Sequence, residues 1–303
     1  MVSAGGATGS SMSSSGVRVI ALIAAYNEER FIAGCLEHLI AHGLNVYLID
    51  NDSTDRTVEF AEPYLGRGLI GIEAIPRDGV YRWQSILRRK EELADELDAD
   101  WFVHLDPDEI RLPPRPGITL ADALSEAGES GYNAVNFSEF TFLPTREHPD
   151  HDHADFQQTM RWYYPYKTGT PHGLKAWKRP AGRSRSRLGW SPRRNRAELA
   201  WSGGHRIRFR GMRVCPQSFP MRHYLFLSIP HAIEKYVERR YDPTELRKGW
   251  HQWRARIGVD DIRLPSEIEL RAYESDWTFD WSNPRSTHYV AQPSFEAGQL
   301  LGA

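Results

Sequence analysis

Cysteine is scarce: Cys35 and Cys215 are the only two, far apart and in no CxxC pair. That excludes a disulfide framework and a cysteine-based zinc site, and suits free thiols in a reducing compartment. No apolar run approaches the ~20 residues of a membrane span. The run Val19–Tyr26 is too short, and Asn27 and Glu28 close it. Neither charge is in excess: 38 Lys and Arg face 40 Asp and Glu, a net charge of -2. The chain as a whole therefore has no electrostatic pull toward nucleic acid. Residues 1–16 lack the basic start and apolar middle of a signal peptide, and their small polar composition reads as a disordered tail. The phosphate-cradling loops GxxxxGK[ST] and GxGxxG are missing too. A nucleotide would have to be held by carboxylates, a metal, arginine or lysine instead.

What is present is an ordinary globular balance, 40% hydrophobic and 26% charged over 303 residues. "VRVIALIAAYNEE" reads as a strand buried on both faces. The segment "ERFIAGCLEHLIAHG" has helical spacing and a terminal glycine. "LNVYLIDND" is a second strand, and "STDRTVEFAEPYL" a helix with Ser53 or Thr54 as N-cap. The strand "GLIGIEAIP", the amphipathic helix "YRWQSILRRKEELADELD" and the strand "ADWFVHLDPDE" complete the alternation. Such alternation predicts an α/β fold, a mostly parallel central sheet flanked by helices. In such sheets ligands bind beyond the carboxyl ends of the strands. The polar clusters "YNEE", "DNDSTD", "PRDG" and "DPDE" fall at those ends and should surround one crevice.

Asp106, Asp108 and Glu109 crowd into four residues of "LDPDE". Carboxylates this close repel one another, and a hard divalent cation would relieve the repulsion. Further on, Glu139 in "NFSEFTF" is a carboxylate inside an apolar strand. Burial there should raise its pKa toward that of a general base, with Asp150 and Asp152 as alternatives. "HPDHDH" (His148–His153) mixes imidazoles and carboxylates as a zinc site would, although a flexible acceptor loop accounts for it better. The basic segment Arg183–Arg196 suits a phosphate-bearing lipid or polymer, or plain solvent.

Three of these motifs in order, "IAAYNEERFIAGCLEHL", "LIDNDSTDRT" and "DADWFVHLDPDEI", resemble a family 2 glycosyltransferase of the GT-A fold, bacterial branch. The resemblance spans residues 17–111. It implies a nucleotide-sugar donor, a divalent metal (Mn or Mg), and transfer to an acceptor hydroxyl with inversion. Ala25, Asn27, Glu28, Asp50, Asn51 and Arg77 would line the base and ribose pocket. Asp106 would face the ribose or sugar, and Asp106 and Asp108 the metal. His223, or else His205, would complete the metal's coordination, and Trp177 and Lys178 would wall the acceptor or diphosphate. The acceptor would be a carbohydrate, a lipid-linked sugar or a small molecule. The expected setting is the cytoplasm, with peripheral contact at the inner membrane face. The expected organisation is one domain over 17–240, with a nucleotide-binding half (17–111) and an acceptor half (112–240), followed by a helical extension over 241–303. Two rival readings are a metal-dependent hydrolase built on His148–His153 and a non-catalytic nucleotide-binding module.

Overall fold

The computed structural model describes residues 16–291, apart from 168, 170, 171, 181–194, 252 and 253. The tail over 1–15 and most of the basic segment Arg183–Arg196 lie outside the described residues. The first half alternates as its periodicity predicts: β1 (Val19–Ala25), α1 (Ile32–Ala41), β2 (Asn45–Asp50), α2 (Thr57–Ala61), β3 (Leu69–Ala74), α3 (Trp83–Glu96), β4 (Trp101–Leu105). β1 pairs in parallel with β2 and β4, and β2 with β3. Side chains alternate across the sheet. Val19, Ala21 and Ile23 pack with Ile32, Leu36 and Leu39 of α1 on one face, while Ile20 and Leu22 pack with Ile86 and Leu87 of α3 on the other. Both faces are thus covered, which is why β1 has no polar residue among its seven. α2 starts later than predicted, at Thr57. Asp55 receives the Thr57 backbone N–H at 2.9 Å, whereas the Ser53 and Thr54 side chains are drawn to Asn27 instead.

The second half adds β5 (Glu109–Arg111), α4 (Leu120–Glu129), β6 (Ala134–Phe142), α5 (Phe156–Thr159), β7 (Trp162–Tyr166), β8 (Gly173–Lys178), β9 (Phe219–Tyr224), α6 (Ile229–Ala232), α7 (Pro243–Arg247) and β10 (Arg271–Ala272). A reciprocal cap between Thr119 and Asp122 starts α4. The main path of the sheet runs β10-β7-β6-β8-β4-β1-β2-β3, with β9 joining β6 to β5. Its strands β1–β4 are parallel, whereas β7, β8 and β10 are antiparallel to their neighbours. In place of a helical extension over 241–303, the described residues form one five-residue helix, short 3-10 turns and the edge strand β10. Phe279 and Trp281 of this segment pack onto Phe140 of β6. The segment is stitched to the first half. The Glu245 carboxylate of α7 accepts the first backbone N–H groups of α3, from Trp83 (3.1 Å) and Gln84 (2.6 Å). A buried acid at a helix N-terminus is favoured by the helix dipole.

Candidate active site

The four polar loops do meet beyond the carboxyl ends of β1–β4. Asn27 and Asp52 adopt left-handed backbone (φ 55° and 60°) immediately after β1 and β2, which Asn and Asp tolerate better than most residues. The turned loops lock together. Asn27 N–H donates to Ser53 Oγ (3.1 Å), Thr54 N–H to Asn27 Oδ1 (2.8 Å), and Glu28 N–H to Thr57 Oγ1 (2.7 Å). A cavity of about 590 Å³ opens over them, lined by Tyr26, Asn27, Glu28, Asp52, Arg77, Lys235 and Arg239 among others. The Arg77 guanidinium lies 3.5 Å from the centre of the Tyr26 ring.

Asp50 and Asn51 do not line this cavity. Both are buried and spent internally. Asp50 accepts from Ser53 N–H, and Asn51 donates to Ile75 O (2.9 Å) and accepts from Arg77 (3.3 Å). Asp52, which the sequence reading passed over, faces the space instead and fixes the Arg77 backbone N–H at 3.0 Å. Ala25 lines a neck of about 80 Å³ that follows, together with Glu28, Asp106, Asp108 and His223.

The carboxylate loop sits in that neck. Asp108 is buried, with Oδ2 held by Lys235 Nζ at 2.5 Å and facing His223 Nε2 at 3.5 Å. Burial pushes its carboxyl up, but Lys235 and His223 outweigh that and hold it well below the usual range. Burial, then Glu109, push Asp106 up, and burial above all pushes Glu28 up to about 7. Glu109 turns away from the neck. It takes Lys175 (2.7 Å), Arg111 (2.5 Å) and the Asp106 N–H (3.1 Å), and so serves as an internal brace.

Beyond the neck lies a wider cavity of about 440 Å³, containing Asp106, Glu139, His172, His205, His223 and Arg254. Glu139 reaches it, but not as the free base of raised pKa that its sequence context suggested. Its Oε1 meets His223 Nδ1 at 2.6 Å and its Oε2 meets His172 Nε2 at 2.9 Å. Burial pushes this carboxyl up, yet the two imidazoles win and hold it well below its ordinary value. His223 is likewise pulled down by burial, but its two carboxylate neighbours raise it to about 10. It bridges Asp108 and Glu139, whose charges favour its protonated form. His205 is exposed on the wide cavity and joins no metal-binding group among the described residues. Gly203 and Gly204 form its wall at positive φ. A Cβ on Gly204 would lie 3.0 Å from Trp83 and from Leu87, so the backbone packs there too tightly for a larger residue.

Three other expectations fail on placement. Trp177 is fully buried in the core, 5.8 Å from the Phe102 ring, and walls no ligand. Lys178 is exposed at the far end of β8. Asp150 and Asp152 line none of these cavities. Asp152 pairs with Arg30 at 2.9 Å, and Asp150 accepts the Asp152 N–H. The His148–His153 cluster disperses: His148 binds Glu267 (2.6 Å), and His151 and His153 share Thr159. Among the described residues, no three His, Cys, Asp or Glu gather as a metal site there or elsewhere. The hydrolase reading therefore loses its centre.

A divalent cation still suits the neck. Asp108 Oδ1 and Glu28 Oε2 are buried without a hydrogen-bond partner, and burial above all pushes Asp106 and Glu28 up. That donor set fits a hard cation taking one or two carboxylates and filling its shell from phosphate oxygens and water.

Residues 20–115 match the family described as glycosyl transferase family 2. This family 2 segment covers β1 to β5, the strands that carry the crevice loops. No curated protein matches the chain significantly. Among solved structures, a 1–349 portion of S. aureus TarS has 12% identity and a TM-score of 0.36, covering 73% of this chain and 63% of that one. Glucosyl-3-phosphoglycerate synthase from Mycobacterium tuberculosis, solved with Mn2+, UDP and phosphoglyceric acid, has 18% identity and a TM-score of 0.28, covering 41% and 44%. The chain spans 22% of a longer TarS structure, at a TM-score of 0.30. Lys235, Arg239, Lys175 and His172 escaped the sequence reading. Lys175, a lysine inside an apolar strand, gave the same signal that singled out Glu139. Lys235 and Arg239, four residues apart, gave a weaker one. No helix among the described residues is long and apolar enough to cross a membrane.

Proposed function

We propose that the protein is a glycosyltransferase that moves a sugar from a nucleotide-diphosphate sugar to an acceptor hydroxyl, with inversion at the anomeric carbon. One observation supports this above the others: the carboxylate loop occupies a narrow neck between two larger cavities. Glu28, Lys235 and Arg239 are shared by the first cavity and the neck, and Asp106, His223 and Arg254 by the neck and the wide cavity. A donor seated with its base near Tyr26 and Arg77 would run its diphosphate past Lys235 and Arg239. Its anomeric carbon would then face the wide cavity, where the acceptor enters.

Asp106 and Asp108 would hold the divalent metal, which when bound would stabilise charge growing on the leaving diphosphate. Lys235 supplies a fixed positive charge to the same end. The His223 imidazolium, clamped between two carboxylates, keeps Asp108 ionised and aimed at the neck. His172, oriented by Glu139, is the group we assign to take the acceptor's proton. Neutral hydroxyl acceptors such as sugars suit a cavity whose carboxylates Glu109 and Glu139 are already paired.

Calorimetric titration of UDP and GDP, each with and without Mn²⁺, tests the reading in wild type and in Asp108→Ala. Metal-dependent binding of one nucleotide, lost in the variant, is expected. No binding of either nucleotide under any condition would overturn it.

A further inference from the structure

At the opposite ends of the strands, a separate pocket of about 360 Å³ is lined, among the described residues, by Lys178, Arg179, Arg210 and Arg213 and by no carboxylate. Lys178 pairs with Trp101, the first residue of β4. The Asp106 loop follows the other end of that strand, roughly 16 Å away at about 3.3 Å per residue. A group bound here is therefore out of reach of the donor site.

The pocket is built rather than incidental. Elsewhere on this face arginines have acids: Arg196 pairs with Asp95 at 2.5 Å and Arg208 with Glu198 at 2.6 Å. By contrast, the Nε and one terminal nitrogen of Arg179 are buried with no hydrogen-bond partner. Its guanidinium lies 5.6 Å from the Phe102 ring, and its backbone N–H is fixed to Asp100 O at 2.8 Å. The asparagine side chains at the rim are spent on scaffolding. Asn133 accepts from Arg213 N–H (2.6 Å) and donates to Gly211 O, and Asn195 both accepts from and donates to the Arg210 backbone. Buried guanidinium N–H groups without an acceptor are costly. A tetrahedral oxyanion in the cavity offers the cationic groups of Lys178, Arg179, Arg210 and Arg213 that line it several acceptors at once, with charge to match.

We propose that this pocket binds a phosphate group, at a site distinct from the donor site and independent of the reading given above. Free phosphate or a soluble phosphate ester, and the headgroup of an anionic phospholipid, present the same chemistry. Inorganic phosphate is titrated without metal into wild type, Arg179→Gln, Arg213→Gln and, as a donor-side control, Arg239→Gln. Saturable binding is expected in wild type and in Arg239→Gln, weakened at least tenfold in both pocket variants. Arg213 is exposed, so its variant should retain the fold even where Arg179→Gln does not, as melting curves will show. Binding lost in Arg239→Gln but kept in Arg213→Gln would overturn the site, as would no saturable binding at all. Sedimentation with phosphatidylcholine vesicles, with and without phosphatidylglycerol, separates the sources. Capture by the anionic vesicles that Arg213→Gln abolishes identifies a headgroup, and phosphate binding without capture identifies a soluble ester. Failure of UDP to bind would leave these outcomes untouched.

Discussion

Glu109→Gln separates a brace from a ligand. Glu109 is 3% exposed and accepts from Lys175, Arg111 and the Asp106 N–H. The amide keeps one acceptor oxygen but turns an NH₂ toward a buried cation and leaves two cations sharing no anion. Breaking a buried ion pair from one side costs about 3–5 kcal/mol. At roughly 2 °C or more per kcal/mol for a domain of this size, the melting temperature should fall by about 6–10 °C. Nucleotide affinity at low temperature should change little, since Glu109 lines neither the first cavity nor the neck. Asp108→Asn also breaks a buried pair, with Lys235, so it should lower the melting temperature comparably but lose nucleotide affinity as well. Thermal melts and calorimetry on the same preparations decide it. Glu109→Gln that melts like wild type but no longer binds nucleotide would refute the assignment and return Glu109 to the metal.

Three further outcomes are expected. Burial pushes the Lys90 ammonium from its ordinary 10.5 down to about 8. Between those values the unfolded chain holds more protons than the folded one, so stability rises with pH across that window. The part due to Lys90 should be about 3 kcal/mol. Denaturant melts of wild type and Lys90→Met at pH 7.5 and about pH 10 should show that slope in wild type and lose it in the variant. Trp177→Ala should cost about 3–5 kcal/mol as a core truncation, and folded protein should bind UDP as wild type does. Binding lost without destabilisation would put Trp177 back at the site. The pair His151→Ala and His153→Ala should leave zinc uptake and transferase activity unchanged, and a zinc-dependent loss would revive the hydrolase reading.

The strands and their loops were legible because their cause is local. The unbroken apolar run of β1 states that both faces are covered, and a polar cluster after each strand states where the crevice lies. The failures have a common physical origin in pairing at long range. Glu139 looked like a base because only its apolar neighbours in sequence were visible. The two imidazoles that reverse its pKa come from 33 and 84 residues away. Part of the charge facing Asp108 was equally invisible, since Lys235 arrives across a separation of 127 residues. Asp50 and Asn51 sat in the matching motif, but the left-handed turn at Asp52 swung the next side chain into the cavity instead. Trp177 and Lys178 were assigned to a wall by the resemblance, and strand direction carried both away from it.

Glu245 capping α3 bears on how far the molecule can be divided. The segment that matches a known family ends at residue 115, but the positive groups that make its mouth hospitable, Lys235, Arg239 and His223, are all encoded later. Cut free, that first half would present Glu28, Asp106 and Asp108 with no counter-charge of its own in the neck. Its third helix would also lose the acid that seals its start. It would repel the diphosphate of the proposed donor. The motif-bearing half is thus not a transplantable cassette, and a chimera that kept it while replacing the remainder would have to re-create those late-encoded charges before it could hold a donor.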